Sequence, residues 1–161
     1  MIDVNVPELI PLGVKAVAEE DVKRLFVYGS LMEGFFNYKK SLEGKVISRI
    51  PARVRGLLYH QNRKGYPAMV GGKGWVRGEF LELKDFETLI SLCDTIEKYY
   101  SPGNPENEYE RKASQVELES GGEVLAHVYW YARNDLGSPG NPAFLIASGD
   151  WREYMNKQEL Q

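Results

Sequence analysis

The sequence predicts one α+β domain, a small bent β-sheet or barrel with a few flanking helices. Short stretches of strand-like composition follow one another between residues 24 and 132. Glycine-rich segments separate them, and the pattern is typical of tightly turning sheets. The predicted turns are Gln61–Gly65, Gly71–Gly74 and Gly121–Gly122. One long helical pattern, residues 85–100, stands apart from this β-rich background.

Composition limits the classes of partner. The 161 residues are 43% hydrophobic and 27% charged, as in ordinary globular proteins, and suffice for one core. A net charge of −3 and only short apolar runs favour neither nucleic acid nor a membrane as partner. Cys93 is the only cysteine, which excludes an internal disulfide and favours a reducing cytoplasm. Composition does not predict the oligomeric state.

Residues 1–23 are predicted to be an N-terminal extension, and residues 24–161 the domain. Pro7 and Pro11 indicate an irregular start, which also lacks the pattern of a signal peptide. Val14, Val17 and Ala18 then follow at helical spacing, which predicts a short helix packed on the domain.

The first strand ends at a turn that we consider the centre of the site. Leu25-Phe26-Val27 is an apolar run, and Tyr28-Gly29-Ser30 stops it. Gly29 is expected to adopt a backbone angle that other residues avoid and to allow close approach to the main chain. The N–H groups of Ser30, Leu31 and Met32 would then form an anion-binding nest. The alternative is a plain strand and turn.

The next elements are predicted from composition. Residues 35–42 indicate a short helix with Phe35, Phe36 and Leu42 facing inward. A β-rich segment over residues 44–60 follows, with bends or bulges at Pro51 and Gly56. Two strands come next, residues 66–70 and 75–83, on either side of the turn Gly71–Gly74.

The helix predicted over residues 85–100 carries the most informative acid. Asp85 is a candidate N-cap, and the apolar residues form a single buried stripe. Glu97 follows Cys93 by four residues and therefore lies on the same face. Burial and the negative end of the helix dipole both disfavour its charge there. Alternatively, Glu97 lies at a frayed helix end and reaches solvent.

The C-terminal part predicts a hairpin and a last helix. Residues 109–119 and 123–132 alternate as strands around Gly121–Gly122, and both faces of the second strand are expected to be covered in a barrel. Residues 143–154, which include Trp151, contain a candidate helix.

The ordered motifs resemble the γ-glutamylcyclotransferase superfamily, in its γ-glutamylamine cyclotransferase, AIG2-like branch. Tyr28-Gly29-Ser30-Leu31 matches its Tyr-Gly-Ser/Thr-Leu, and residues 92–99 resemble its Leu-Asp-x-x-Glu-Gly-Tyr. Residues 65–70, 76–80 and 109–111 fit between and after these motifs. The absence of Asn after Ser30 favours the amine branch over enzymes of free γ-glutamyl amino acids.

The resemblance implies a reaction and a site. The α-amine of a γ-glutamyl group attacks its own γ-carbonyl, giving 5-oxoproline and a free amine without metal or other cofactor. Glu97 is implied as the general acid/base, and Tyr28, Gly29, Ser30 and Leu31 as the substrate cradle. Tyr131 is a further candidate for substrate binding, with a structural role as its alternative.

Three other possibilities follow from the residues. Cys93 as a nucleophile is the less favoured chemistry, because a thiol within an apolar stripe is typical of a core. Arg111 would pair with a carboxylate of either the substrate or the protein. A non-catalytic domain that binds a small carboxylate is the alternative function.

Lys98 replaces the glycine of the family motif, which leaves the exact helix end open.

Overall fold

Strands dominate the structure, a computed structural model that describes residues 2–4 and 18–159. The helix predicted around Val14 and Val17 lies outside these residues. A short 3-10 helix, Glu19–Asp21, precedes the main elements. These are β1 (Arg24–Val27), α1 (Phe36–Ser41), β2 (Val46–Gln61), β3 (Tyr66–Leu83), α2 (Phe86–Glu97), β4 (Tyr109–Leu118), β5 (Glu123–Tyr131), β6 (Ala143–Leu145) and α3 (Trp151–Glu159).

Five strands close into a barrel, which confirms the predicted α+β class. The order is β3-β1-β5-β4-β2, and a further pairing of β2 with β3 joins the two ends. Only the pair of β1 and β5 is parallel among the described pairs, and β6 extends the sheet beside β2. No helix in the described part of the chain is long and apolar enough to span a membrane.

The bend of the barrel comes from a bulge where we predicted a turn. β3 runs continuously through residues 71–74, so the prediction of two strands separated by a turn is wrong. Arg55 pairs with Trp75 and Leu57 with Val70, which leaves residues 71–74 opposite Gly56 alone. The extra residues bend the strand instead of reversing it. A Cβ on Gly56 would lie 2.9 Å from the Val70 carbonyl oxygen, so this crossing needs glycine.

Helix α2 is shorter than predicted and ends at Glu97. Asp85 occupies the N-cap position with a φ of 49° and makes no capping hydrogen bond through its side chain. At the other end, Lys98 has a φ of 54°, and its N–H donates to the Thr95 carbonyl. The Tyr99 N–H donates to the Asp94 carbonyl at 2.9 Å. This is a Schellman motif, the C-terminal cap that glycine usually provides.

The core fills the barrel and the space under α2. Residues 126–131 of β5 are all buried, as expected for a strand covered on both faces. Leu42 is fully buried and Phe35 partly so, but Phe36 is 59% exposed, so its predicted inward orientation is wrong. The last helix begins at Trp151, whose side chain is buried.

Candidate functional site

A cleft at the C-terminal end of β1 brings the two distant motifs together. It has a volume of about 340 Å³, counting its open mouth. The lining combines the turn after β1, the start of β3, the end of α2 and tyrosines of the barrel. The lining residues are Phe26, Val27, Tyr28, Gly29, Ser30, Leu31, Tyr66, Pro67, Glu97, Tyr109 and Tyr129. Glu97 and the Tyr28–Leu31 turn, which lie about seventy residues apart in sequence, therefore share one cavity.

Gly29 is required for packing and not for an unusual backbone angle. Its φ is not positive, so the conformational reason that we predicted is wrong. A Cβ at this position would lie 2.8 Å from Cγ of Pro67. The close neighbour of the main chain is thus the protein's own proline ring, which forms the adjoining wall of the cleft.

The turn after Gly29 is anchored, yet two of its N–H groups have no acceptor in the described part of the chain. The Met32 N–H donates to the Gly29 carbonyl at 2.9 Å, and the Tyr38 N–H donates to the Ser30 carbonyl at 3.0 Å. Asn37 Nδ2 donates to Ser30 Oγ at 2.7 Å. Within residues 2–4 and 18–159, no acceptor is recorded for the N–H groups of Ser30 and Leu31. The nest thus has two N–H groups instead of the predicted three.

Glu97 lies in the cleft and is only partly exposed. Burial, followed by the nearby charges of Glu108 and Asp94, raises the pKa of its carboxyl to about 8. No residue in the described ranges donates a hydrogen bond to this carboxyl, which leaves it available to a bound molecule. Of the two interpretations offered by the sequence, the structure favours the core-facing acid over one that reaches open solvent.

Three tyrosines of the lining were not predicted, and each is held by its hydroxyl. Tyr109 donates to the Pro67 carbonyl at 2.6 Å, Tyr129 to Asp94 Oδ1 at 2.7 Å, and Tyr66 to Glu108 Oε2 at 2.7 Å. The hydroxyl of Tyr28, in turn, donates to the Tyr129 carbonyl. Burial raises the pKa of Tyr28 well above its usual value. Tyr129 is two residues before the candidate Tyr131 in the predicted strand, so alternation puts both side chains on one face, and this was the available signal.

Tyr131 lies outside the lining of this cleft. It is completely buried, and its ring packs edge-on against Tyr109 with centroids 5.4 Å apart. Its hydroxyl donates to Asp135 Oδ1 at 2.6 Å and accepts from Lys64 Nζ at 3.0 Å. Protein groups therefore occupy the Tyr131 hydroxyl in this structure, and its role in substrate binding stays a prediction.

The remaining candidates have protein partners. Arg111 pairs with Asp94, with Nε to Oδ1 at 2.8 Å, and donates to His127 Nδ1 at 2.8 Å. His127 Nε2 lies 2.9 Å from the Val22 carbonyl, and burial and Arg111 lower the pKa of its ring. Cys93 is fully buried, and burial with the charges of Glu97 and Asp94 raises its pKa to about 12. Such a thiol is a poor nucleophile.

A larger groove lies elsewhere, between β2, β3, β4 and the start of α3. It has a volume of about 1020 Å³, including open space, and Met32 is its only lining residue from the predicted site. Arg53 and Glu117 form an ion pair across it at 2.6 Å. We place the candidate site in the smaller cleft because that cleft contains the acid with the raised pKa and the free N–H groups.

Comparison with known proteins identifies the family of this chain. The family model described as gamma-glutamyl cyclotransferase, AIG2-like, matches residues 25–153, which include the whole cleft. The chain belongs to this family. The γ-glutamyl cyclotransferase of γ-L-glutamyl-butirosin B from Niallia circulans is 36% identical over 130 residues, covering 81% of this chain and 76% of that protein.

Solved structures share the family fold. An AIG2-like protein from Mus musculus aligns with a TM-score of 0.59 and 27% identity, covering 80% of this chain and 86% of the mouse chain. YkqA from Bacillus subtilis aligns with a TM-score of 0.60 and 23% identity, and the match covers 86% of this chain but only 43% of YkqA. The latter similarity concerns the fold alone.

Proposed function

We propose that this γ-glutamyl cyclotransferase family member acts on a γ-glutamyl amine conjugate, releasing 5-oxoproline and a free amine. The observation that carries the proposal is the half-buried Glu97 carboxyl, which shares a cleft with the N–H groups of Ser30 and Leu31. Among the residues that the structure describes, none donates a hydrogen bond to this carboxyl and none accepts one from these two N–H groups. The acid supplies proton transfer, and the N–H groups stabilise negative charge.

The reaction needs one nucleophile, and the substrate carries it. The α-amine nitrogen attacks the γ-carbonyl carbon, forming the ring C–N bond and a tetrahedral oxyanion. Collapse of this intermediate breaks the C–N bond to the attached amine. Because nucleophile and carbonyl belong to one molecule, holding them in attack geometry supplies several kcal/mol, the range known for intramolecular reactions.

Glu97 is proposed to move the proton. The α-ammonium must lose a proton before it attacks, and the leaving nitrogen must gain one. A carboxyl whose pKa is about 8 is suited to both transfers near neutral pH. Binding of the cationic α-ammonium beside Glu97 favours the charged carboxylate, the form that accepts this proton.

The turn after β1 is proposed to bind the anionic part of the substrate. The N–H groups of Ser30 and Leu31 would donate either to the developing oxyanion or to the α-carboxylate. Tyr28, Gly29 and Pro67 shape the wall around them. The relative from Niallia circulans is named for γ-L-glutamyl-butirosin B, which supports a γ-glutamyl conjugate as the substrate.

The test is turnover of a substrate panel. The protein is incubated with γ-glutamyl alkylamines, γ-glutamyl polyamines and γ-glutamyl amino acids, and 5-oxoproline is measured by liquid chromatography. We expect product from at least one amine conjugate and at least about a hundredfold lower rate for Glu97→Gln, the usual minimum effect of losing a general base. Undiminished turnover by Glu97→Gln would contradict the role of Glu97.

The alternative function is a binding domain without catalysis. A domain that only binds a carboxylated ligand gains nothing from an acid beside that ligand, because the two charges repel. Binding of γ-glutamyl amines without 5-oxoproline release, in both the unsubstituted protein and Glu97→Gln, would favour this alternative.

A further inference from the structure

An ion pair lies directly behind one wall of the cleft. Lys64 Nζ lies 2.6 Å from Glu108 Oε2, and the side chain of Glu108 is only 5% exposed. The same carboxylate oxygen accepts a hydrogen bond from the hydroxyl of Tyr66, whose ring lines the cleft. One buried carboxylate thus holds both a cation and a residue of the cleft wall.

The backbone keeps Glu108 close to Glu97. The Glu108 N–H donates at 3.0 Å to the carbonyl of Lys98, the residue directly after Glu97. The Glu108 carbonyl accepts from the Ala132 N–H at 2.8 Å, just beyond the end of β5. The loop between α2 and β4 therefore returns to its starting point and holds the main chain of Glu108 next to the end of α2, where the charge of Glu108 acts on the Glu97 carboxyl.

Lys64 is held in turn from a different part of the chain. It lies in the turn between β2 and β3, and its Nζ also donates to the Tyr131 hydroxyl at 3.0 Å. That hydroxyl donates to Asp135 Oδ1, and Asn141 Nδ2 donates to it at 3.2 Å. The side chain of Lys64 is 22% exposed, and these contacts restrict its position.

We propose that Lys64 and Glu108 are a positioning pair for Glu97: they set the electrostatic environment of its carboxyl and hold Tyr66 against the cleft. The proposal rests on the proposed role of Glu97 as the acid/base. Neither member lines the cleft itself, so the pair acts through Glu97 and Tyr66.

Other groups around Glu97 define what the pair contributes. Asp94, on the same helix, also raises the pKa of Glu97, and Arg111 pairs with Asp94. The neutral phenols of the lining add no charge. The titratable and charged groups around Glu97 are Cys93 and Asp94 on α2, Tyr28 after β1, Tyr66 on β3, Glu108 and Tyr109 at β4, and Tyr129 on β5. Of the two carboxylates that raise the pKa of Glu97, Asp94 pairs with Arg111 and Glu108 pairs with Lys64.

We expect removal of Glu108 and removal of Lys64 to shift the pH at which Glu97 titrates in opposite directions. Glu108→Gln removes a like charge and lowers the pH at which Glu97 titrates, by about one unit, the lower end of such effects. Lys64→Gln removes the cation that offsets Glu108 and moves the titration upward by a smaller amount. If the pair had only a structural role, both variants would lose stability, and the titration of Glu97 would not shift in opposite directions.

The experiment reads Glu97 directly and through catalysis. The carboxyl of Glu97 is titrated by ¹³C NMR in glutamate-labelled protein, with Glu97→Gln to assign the signal. The pH profile of kcat/KM with the best γ-glutamyl amine is then measured for each variant. Glu110→Gln is the matched control: Glu110 is a buried carboxylate of β4 that accepts from Gly103 N–H and Asn107 Nδ2. It should leave the titration of Glu97 unchanged.

Tyr66→Phe separates positioning from charge. It keeps both charges of the pair and removes the hydroxyl that binds Glu108. We expect an unchanged titration of Glu97 and a KM raised about fivefold, the equivalent of one lost hydrogen bond. An unchanged KM would overturn the inference that Glu108 holds Tyr66 in position.

The outcomes distinguish this inference from the proposed function. NMR shifts in one direction for both variants, or shifts no larger than that of Glu110→Gln, would overturn the electrostatic role even if turnover is normal. Absence of turnover with every conjugate would instead remove the proposed function, while the NMR titrations would still decide the electrostatic effect. If Glu108→Gln does not fold, the upward shift in Lys64→Gln remains the deciding measurement.

Discussion

Pro67 packs against Gly29 so closely that a Cβ on residue 29 would lie 2.8 Å from the proline Cγ. Pro67 is itself held by the Tyr109 hydroxyl, which donates to its carbonyl. The turn that carries the free N–H groups is thus supported by the start of β3. Both walls of the cleft depend on this contact.

Gly29→Ala should disturb the turn and its support together. The added methyl group overpacks the contact with Pro67, and we expect a loss of about 1–3 kcal/mol in the free energy of unfolding. We also expect a lower kcat/KM, because the N–H groups of Ser30 and Leu31 move. Urea unfolding and the 5-oxoproline assay measure the two effects. Gly140→Ala is the control, since its Cβ would meet only Ser138 Oγ, at 3.9 Å.

Glu97 should make the protein less stable at alkaline pH. Its pKa is raised in the folded state, so its stabilising contribution is complete below the unfolded pKa near 4.5 and is lost as pH rises through about 8. Glu97→Gln lacks this dependence. Relative to the unsubstituted protein, the variant should gain stability from about pH 5 and level off above about pH 8, by on the order of 4 kcal/mol in total. If the free energy of unfolding depends on pH in the same way in both proteins, the raised pKa of Glu97 is contradicted.

Lys98→Gly should stabilise the protein. Lys98 has a φ of 54°, a conformation that costs a residue with a side chain roughly 1 kcal/mol and glycine nothing. We expect an increase of about that size in the free energy of unfolding, measured with urea. Lys39→Gly, within α1, is the matched control and should lose about 1 kcal/mol. A loss of stability in both variants would mean that the Lys98 side chain contributes more than its backbone costs.

Cys93 should be unreactive in the folded protein. The thiol is fully buried and burial raises its pKa to about 12, so almost no thiolate exists at pH 8. Ellman's reagent should react slowly in buffer and rapidly in urea. Cys93→Ala should retain 5-oxoproline release at a similar kcat. Rapid labelling that abolishes activity would instead support the less favoured nucleophile.

Local patterns predicted the site acid because helix periodicity is a local property. The apolar stripe that includes Ile90 and Cys93 puts Glu97 on its core-facing side, although a frayed helix end remained the alternative until the family motif was considered. The same pattern overestimated the length of α2, because Lys98 adopts a conformation that residues without glycine's freedom seldom take. The end of the helix depends on backbone hydrogen bonds to Asp94 and Thr95, which a periodicity does not contain.

Predictions that depend on contacts between residues distant in sequence were less successful. We assigned Gly29 to a special backbone angle, whereas the structure requires it for contact with Pro67, a residue from another strand. Likewise, the glycines at 71–74 predicted a turn, but pairing of β3 with β2 on both sides keeps this segment in one bent strand. Each error concerns a partner that lies far away in sequence.

The sequence by itself determined the α+β class, the buried face of α2 and the two motifs of the family, because these follow from local composition and spacing. The tertiary structure alone decided that Tyr66, Tyr109 and Tyr129 line the cleft and that Tyr131 does not. It also decided that the Glu108 N–H bonds to the carbonyl of Lys98, the residue after Glu97. The physical reason is closure of the barrel. Strand register and the returning loop after α2 set these distances, and neither is encoded in any single stretch of the chain.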